Sequence, residues 1–341
     1  MKKLFVLMIA VFSMGATATA QEAIAMLKHG TTTKTFTGVD ALKSAHEAAE
    51  NGDLITLSSG NFNAVDITKT VTIRGAGMEY DVTYNTQPTI IRGDFTIAVP
   101  DGTTGNVQVE GIYHEYIITF NNARQQQNPK FIKCRLGSVK CGSYTVQGTK
   151  YNCVVKNAVF LHCKIVDYVG CGIDCSETFI NCYVYKPNTP TSQYISEMNF
   201  RNCVVYVAAS TLYYAKFTNS IILISSTYSY NSATTFQNCL LRSGTFSDLP
   251  ASSNHYWTYE NTANIFKTYT GTYKSDETFE LNDDAKTQYV DENGKEIGIN
   301  GGTFPYNPRV AGPHIKSMEV APRSTADGML NVKMTIENTG Y

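Results

Sequence analysis

The chain repeats one short pattern of apolar and polar positions. FIKCRL, FLHCKI, FINCYV, FRNCVV, FTNSII and FQNCLL begin at Phe131, Phe160, Phe179, Phe200, Phe217 and Phe236. The fourth position of each reads Cys134, Cys163, Cys182, Cys203, Ser220 and Cys239. The sixth is always aliphatic: Leu136, Ile165, Val184, Val205, Ile222 and Leu241. The third is Lys133, His162, Asn181, Asn202, Asn219 and Asn238. Steps between the Phe residues are 29, 19, 21, 17 and 19, and a period near 20 marks a solenoid. A plain strand alternates with period two. Phe and Cys are three apart, so a residue between them must break the alternation. Asn is, after Gly, the type most ready to take a left-handed backbone. Phe is therefore expected inside, Asn at a corner, and Cys and the aliphatic residue inside again. Successive units would stack about 4.8 Å apart, like on like. That is an all-β parallel β-helix. A leucine-rich repeat lacks its recurring Leu framework here. The 29-residue step accommodates an excursion carrying Cys141 and Cys153.

The flanks are less regular. GVDALKSAHEAAENGD places Val39, Leu42, Ala45 and Ala49 on one helical face and ends at Asn51-Gly52. Such a helix can cover the open end of a solenoid, where backbone edges are unpaired. LITLSSGNFNAVDITKTVTIRGAG then reads as short strands broken by Gly, Asn and Ser. Near the C-terminus Leu330, Val332, Met334 and Ile336 alternate with polar residues. This strand is expected to pack back on the last coil; the other reading is the start of a small β-sandwich.

The helix, GDLITLSSGNF, ITKTVTIRGAG and the stacked Asn-Cys units together resemble the secreted right-handed parallel β-helix proteins of the pectin-lyase-like superfamily. DENGKEIGINGGTFPYNP resembles the segment that closes many bacterial members. The resemblance implies a β-helix domain over 36–302 with a capping helix, followed by an extension over 303–341. It is unspecific for activity, because the superfamily holds lyases, hydrolases, adhesins and phage tail fibres.

Composition narrows the function. MKKLFVLMIAVFSMGATATAQ has Lys2 and Lys3, an apolar stretch from Leu4 to Phe12, and Ala18-Thr19-Ala20. It has the form of a signal peptide over 1–20, which predicts a secreted, cell-surface or periplasmic protein. The apolar stretch is far shorter than the ~20 residues of a membrane span. Without Lys2 and Lys3, 26 basic residues face 29 acidic ones, a net charge near −3. No basic stripe points to nucleic acid.

Candidate chemistry is sparse. The Cys column reads as stacked thiols rather than metal ligands. Cys141 and Cys153 are the best disulfide candidates; Cys171 and Cys175 are placed to pair with each other or with a neighbouring coil. His162 is a corner residue, and Arg92-Gly93-Asp94 a coil corner. Enzymes of the resembled superfamily gather carboxylates on one face, either holding Ca²⁺ or forming a catalytic pair. The polygalacturonase motifs are missing. Asp167, Asp174 and Glu177 are the candidates for such a cluster, with Ca²⁺ expected only under that reading. Tyr183, Tyr185, Tyr206, Tyr228 and Tyr230 recur in successive coils, and Trp257 extends the set. Parity points Tyr183 and Tyr185 outward, giving a row of rings suited to sugars or a protein partner. The expectation is a non-catalytic protein binding polysaccharide or a cell-surface protein along that row. The alternative is a polysaccharide lyase or glycoside hydrolase with an atypical carboxylate site.

Overall fold

The structure, a computed structural model, describes residues 23–120, 125–142, 144–146, 149–151, 154–172, 174–188, 197–207, 214–224, 234–242, 254–320 and 332–339. The predicted signal peptide, Tyr228, Tyr230 and Cys153 lie outside these residues. The described chain is mostly strand, wound into a parallel β-solenoid of about seven turns.

Two parallel sheets meet at the predicted corner. In the first, Phe131, Phe160, Phe179, Phe200, Phe217 and Phe236 are paired in register from strand to strand. Their rings stack inside the coil with centroids 4.7 to 5.1 Å apart and planes within 11°. The spacing is that of neighbouring strands, so the backbone ladder dictates the ring stack. The residues between Phe and Cys do turn the chain. Lys133, His162, Asn181, Asn202, Asn219 and Asn238 all have φ between 48° and 55°. Lys and His tolerate this left-handed geometry less well than Asn, but all six do the same job.

The turn swings the fourth residue back inside. Cys134, Cys163, Cys182, Cys203, Ser220 and Cys239 are fully buried. The Cys182 and Cys203 thiols each donate to a carbonyl two residues earlier at 3.2 Å, and the Ser220 hydroxyl does so at 2.8 Å. Burial pushes the Cys134, Cys163 and Cys182 thiols well up, so they fill space as neutral groups. Ser at the fourth position keeps the same bond. Cys203→Ser is therefore expected to change the unfolding free energy by about 1 kcal/mol or less. Urea melts check this; a loss of about 3 kcal/mol would assign the thiols more than packing.

Before the coil, a hairpin pairs Ile24–His29 with Thr32–Thr37. Ile24–His29 also runs antiparallel along Leu54–Leu57, so the edge of that strand is occupied. Helix α1, Ala41–Ala48, buries Ala41, Leu42, Ala45 and His46. Val39, expected on that face, is 54% exposed because the helix begins two residues later. The Lys69 ammonium donates to the carbonyls of His46, Glu47 and Ala49, at the helix end where carbonyls lack partners. Arg92-Gly93-Asp94 is a coil corner, with Gly93 at φ 94° and Asp94 accepting from the Ile117 amide.

Past Tyr259 the repeat stops. Residues 260–310 double back as an irregular strap along the outside of the coil, so packing continues past residue 302. The strap is pinned to the corner column. The Asn238 side-chain amide donates to Glu292, and the Gly298 amide donates to the Asn219 carbonyl. Asn181 donates to the carbonyls of Ile299 and Gly301, at 2.8 and 2.9 Å. The Asn307 amide donates to His162 Nδ1, and the Lys133 ammonium to the Arg309 carbonyl. His162 is held neutral, its pKa lowered to about 4 by burial and by Lys133. The strap also buries an ion pair, Lys164 to Glu79 at 2.6 Å, with Lys164 almost wholly enclosed. After the strap, Val332–Thr339 pairs antiparallel with Gly312–Val320.

Candidate functional site

The second sheet carries the tyrosines. Its outward positions form rows, because in-register pairing places equivalent residues side by side. One row runs Arg135, Lys164, Tyr183, Val204, Ile221, Leu240 and Trp257. The next includes Tyr185, Tyr206 and Leu223, with Arg242 beside Tyr259.

Tyr183 does point away from the coil interior, as parity predicts, but it does not reach solvent. It is 1% exposed. Tyr273 stacks on it at 4.9 Å and Phe279 at 4.6 Å. Both belong to the strap, whose Phe266, Tyr269, Leu281, Ile297 and Ile299 complete a second apolar core outside the coil. Trp257, half-buried, meets the Tyr289 ring edge-on at 5.6 Å in the same core. The expected open row of rings is thus corrected at Tyr183 and Trp257. A chain of apolar side chains on a sheet face is covered by the chain's own C-terminal segment.

What stays accessible is the end of the row. Tyr185 and Tyr206 stack at 4.8 Å and are half-buried, and the Lys186 ammonium sits 4.8 Å above the Tyr185 ring. Beside Tyr206 the sheet and the start of the strap leave a cleft of about 500 Å³. Tyr206, Leu223, Arg242 and Tyr259 form its floor; Glu260 and Tyr269 stand on the strap side. The floor is rigid. Arg242 donates to the Ile224 carbonyl at 2.8 Å, and the Tyr259 hydroxyl to the Ile222 carbonyl at 3.0 Å. Burial raises the Tyr259 and Tyr269 phenols, the latter to about 12, so both stay neutral at physiological pH. The half-buried Tyr206 ring, the Arg242 guanidinium and the exposed Glu260 carboxylate border one concavity, with Tyr259 and Tyr269 nearly enclosed behind them. Such a surface can cover the apolar face of a sugar ring and bond its hydroxyls from the side.

The carboxylate candidates separate. Asp167 is exposed and accepts from the Ser138 hydroxyl. Asp174 is exposed at a turn with φ 59°. Glu177 is 0% exposed and lies inside the coil. Among the described residues no donor meets full hydrogen-bond geometry at either of its oxygens, and its nearest polar neighbours are the Cys171 and Cys141 thiols. Burial pushes its pKa up to about 8, an effect the nearby Cys171 and Cys141 thiols only partly offset. Asp167 and Asp174 are thus in water while Glu177 is walled off from it. Among the described residues no group of three or more His, Cys, Asp or Glu side chains is placed to hold a metal ion. Cys141, Cys171 and Cys175 are buried, and among the described residues no disulfide links Cys171 to Cys175 or engages Cys141; Cys153, expected to pair with Cys141, lies outside those residues.

Sequence reasoning found Tyr206 but missed Arg242, Tyr259, Glu260 and Tyr269. The first two lie in register with the tyrosine row and were within reach of the repeat alignment; the others sit on the strap, which has no period. Among the described residues no helix is long and apolar enough to cross a membrane. No protein-family model matches the chain, and no curated protein or solved structure matches it either.

Proposed function

We propose that this is an exported, non-catalytic β-solenoid that binds a carbohydrate chain in the cleft beside Tyr206. The observation that carries the reading is the junction of an aromatic row with Arg242 and Glu260 at one accessible concavity. Export is supported by the charged, apolar and small-residue segments at the N-terminus. The resemblance to the right-handed helices of the pectin-lyase-like group supports a glycan as the ligand class. A non-catalytic role fits the separation of Asp167 and Asp174 from Glu177. The site is the mouth at the end of the tyrosine row rather than its whole length, because the strap occupies the rest.

Affinity electrophoresis against a panel of neutral and acidic polysaccharides tests this. At least one should retard the protein. Tyr206→Leu, which keeps bulk but removes the ring, and Glu260→Gln should each weaken the retarding interaction about tenfold. No retardation by any polysaccharide would overturn the reading. Release of reducing or unsaturated sugar ends would replace it with an enzyme.

A further inference from the structure

A second cavity bordered by the strap lies on the other side of the corner, away from the tyrosine row. It has a volume of about 890 Å³. Its floor is the last outward position of the Phe-bearing strands. Ile132, Leu161 and Ile180 stand side by side there in register, and Arg201 is next. Phe304, 71% exposed on the strap, forms the facing wall. Three half-buried aliphatic side chains side by side on this outer face stand apart from the neighbouring outward row, which reads Lys130, Val159, Thr178, Asn199 and Lys216 and is polar but for Val159. The chain has covered a comparable apolar row on the second sheet with its own strap; here the strap stops short and leaves a trough.

The charges are one-sided. No Asp or Glu lines the trough. Lys133 closes one end, where its ammonium caps the Arg309 carbonyl. Arg201 stands at the other end, exposed, and among the described residues its guanidinium meets no carboxylate within ion-pair distance. The neighbouring acid on its own strand, Glu197, is paired to Lys216 at 2.6 Å. An apolar floor ending in an unpaired guanidinium is complementary to an amphiphile with a negative head. The three strand spacings from Ile132 to Arg201 span about 14 Å. An extended alkyl chain advances about 1.3 Å per bond, so roughly eleven bonds, a chain of about twelve carbons, cover the floor.

We propose that this trough binds a single-chain fatty carboxylate, with the alkyl chain over Ile180, Leu161 and Ile132 and the carboxylate on Arg201. The site is independent of the Tyr206 cleft. Arg fits the role because its planar fork accepts a carboxylate in a bidentate pair, whereas a floor of Ile and Leu offers no directional bond and sets only the length.

Titration calorimetry of the full chain with dodecanoate at pH 8, below its micelle concentration, is the test. One molecule should bind per chain. Arg201→Gln, at an exposed position that leaves the fold alone, should weaken binding about tenfold. Phe304→Ser should weaken it by a similar factor, and Leu161→Asp should abolish it with the circular dichroism spectrum retained. Dodecyltrimethylammonium, the same chain with the opposite charge, should bind at least about tenfold more weakly. Tyr206→Leu should leave dodecanoate binding intact, which separates this site from the proposed carbohydrate cleft. The proposal is overturned if dodecanoate gives no saturable binding, if both head-group charges bind equally, or if Arg201→Gln and Phe304→Ser bind as the parent does. It is equally overturned if sedimentation shows Phe304-dependent self-association, because a second copy would then own the trough, or if only anionic vesicles are captured.

Discussion

Replacing Glu177 by Gln should stabilise the protein, and the gain should grow as pH rises. The side chain is wholly enclosed within the coil, and among the described residues only the Cys171 and Cys141 thiols approach its oxygens, neither in full hydrogen-bond geometry. Enclosure penalises the charged form, which is why the carboxyl titrates near pH 8 in the folded protein. In the unfolded chain it titrates at about 4.3. Below the lower value both states hold the proton, and the side chain costs little beyond an imperfect hydrogen-bonding environment. Between the two values the unfolded chain releases the proton and the folded chain keeps it. Each pH unit in that window removes up to about 1.4 kcal/mol of stability. Above pH 8 the loss is complete, a few kcal/mol in all. Gln has the same shape and no charge to bury, so the variant escapes this slope. Urea midpoints at pH 5, 7 and 9 should show parent and variant close together at pH 5 and far apart at pH 9. A gap that stays constant across the series would mean that Glu177 finds a partner or water when the chain breathes.

Glu177 also shows what the sequence could and could not yield. It stands two residues before Phe179, so strand parity alone puts both on the same, inward face. The Gly, Asp and Cys residues just before it, in GCGIDC, break the alternation and hide that signal, although Ser176–Ile180 is a strand. The stacked Phe, Asn and Cys columns were legible because each repeat solves the same steric problem: an inward ring, a left-handed corner, an inward small group. Tyr183 was legible in direction but not in exposure. Direction follows from the alternation within one strand, whereas exposure depends on what covers the face, and the cover lies nearly a hundred residues later. Phe266, Tyr269, Phe279, Leu281, Ile297 and Ile299 have neither period two nor period 3.6, because they sit in irregular backbone that follows the contour of the coil. No periodicity test can find such a segment. The trough beside Arg201 was hidden for the same reason, since its far wall is Phe304.

The strap is attached through the corner column, so one corner residue should control it. Asn181 is the strongest attachment: almost fully buried, at φ 49°, with its amide donating to two strap carbonyls. Asn181→Leu removes both donors. It strips the enclosed Gly301 carbonyl of its donor, at about 1–3 kcal/mol, and leaves the Ile299 carbonyl with only the Tyr306 amide, at about 1 kcal/mol. It also places a branched residue in a left-handed corner, at about 1 kcal/mol or more. The expected loss is about 3–5 kcal/mol. Asn181→Gly loses the same bonds but takes the corner without strain, so it should cost about 1 kcal/mol less than Leu. The loss should fall on the strap before the coil, because the rungs keep their own ladders of backbone bonds while the strap has no sheet to join. Trp257 is the only tryptophan in the chain and lies on the last rung against strap residue Tyr289, so its emission reports the seam between strap and coil. In Asn181→Leu the emission should shift to longer wavelength at a lower urea concentration than that at which far-ultraviolet circular dichroism is lost. The two signals should stay closer together in the parent. If they move together in the variant, strap and coil form one cooperative unit, and the corner amides bind the strap no more tightly than its apolar side chains already do.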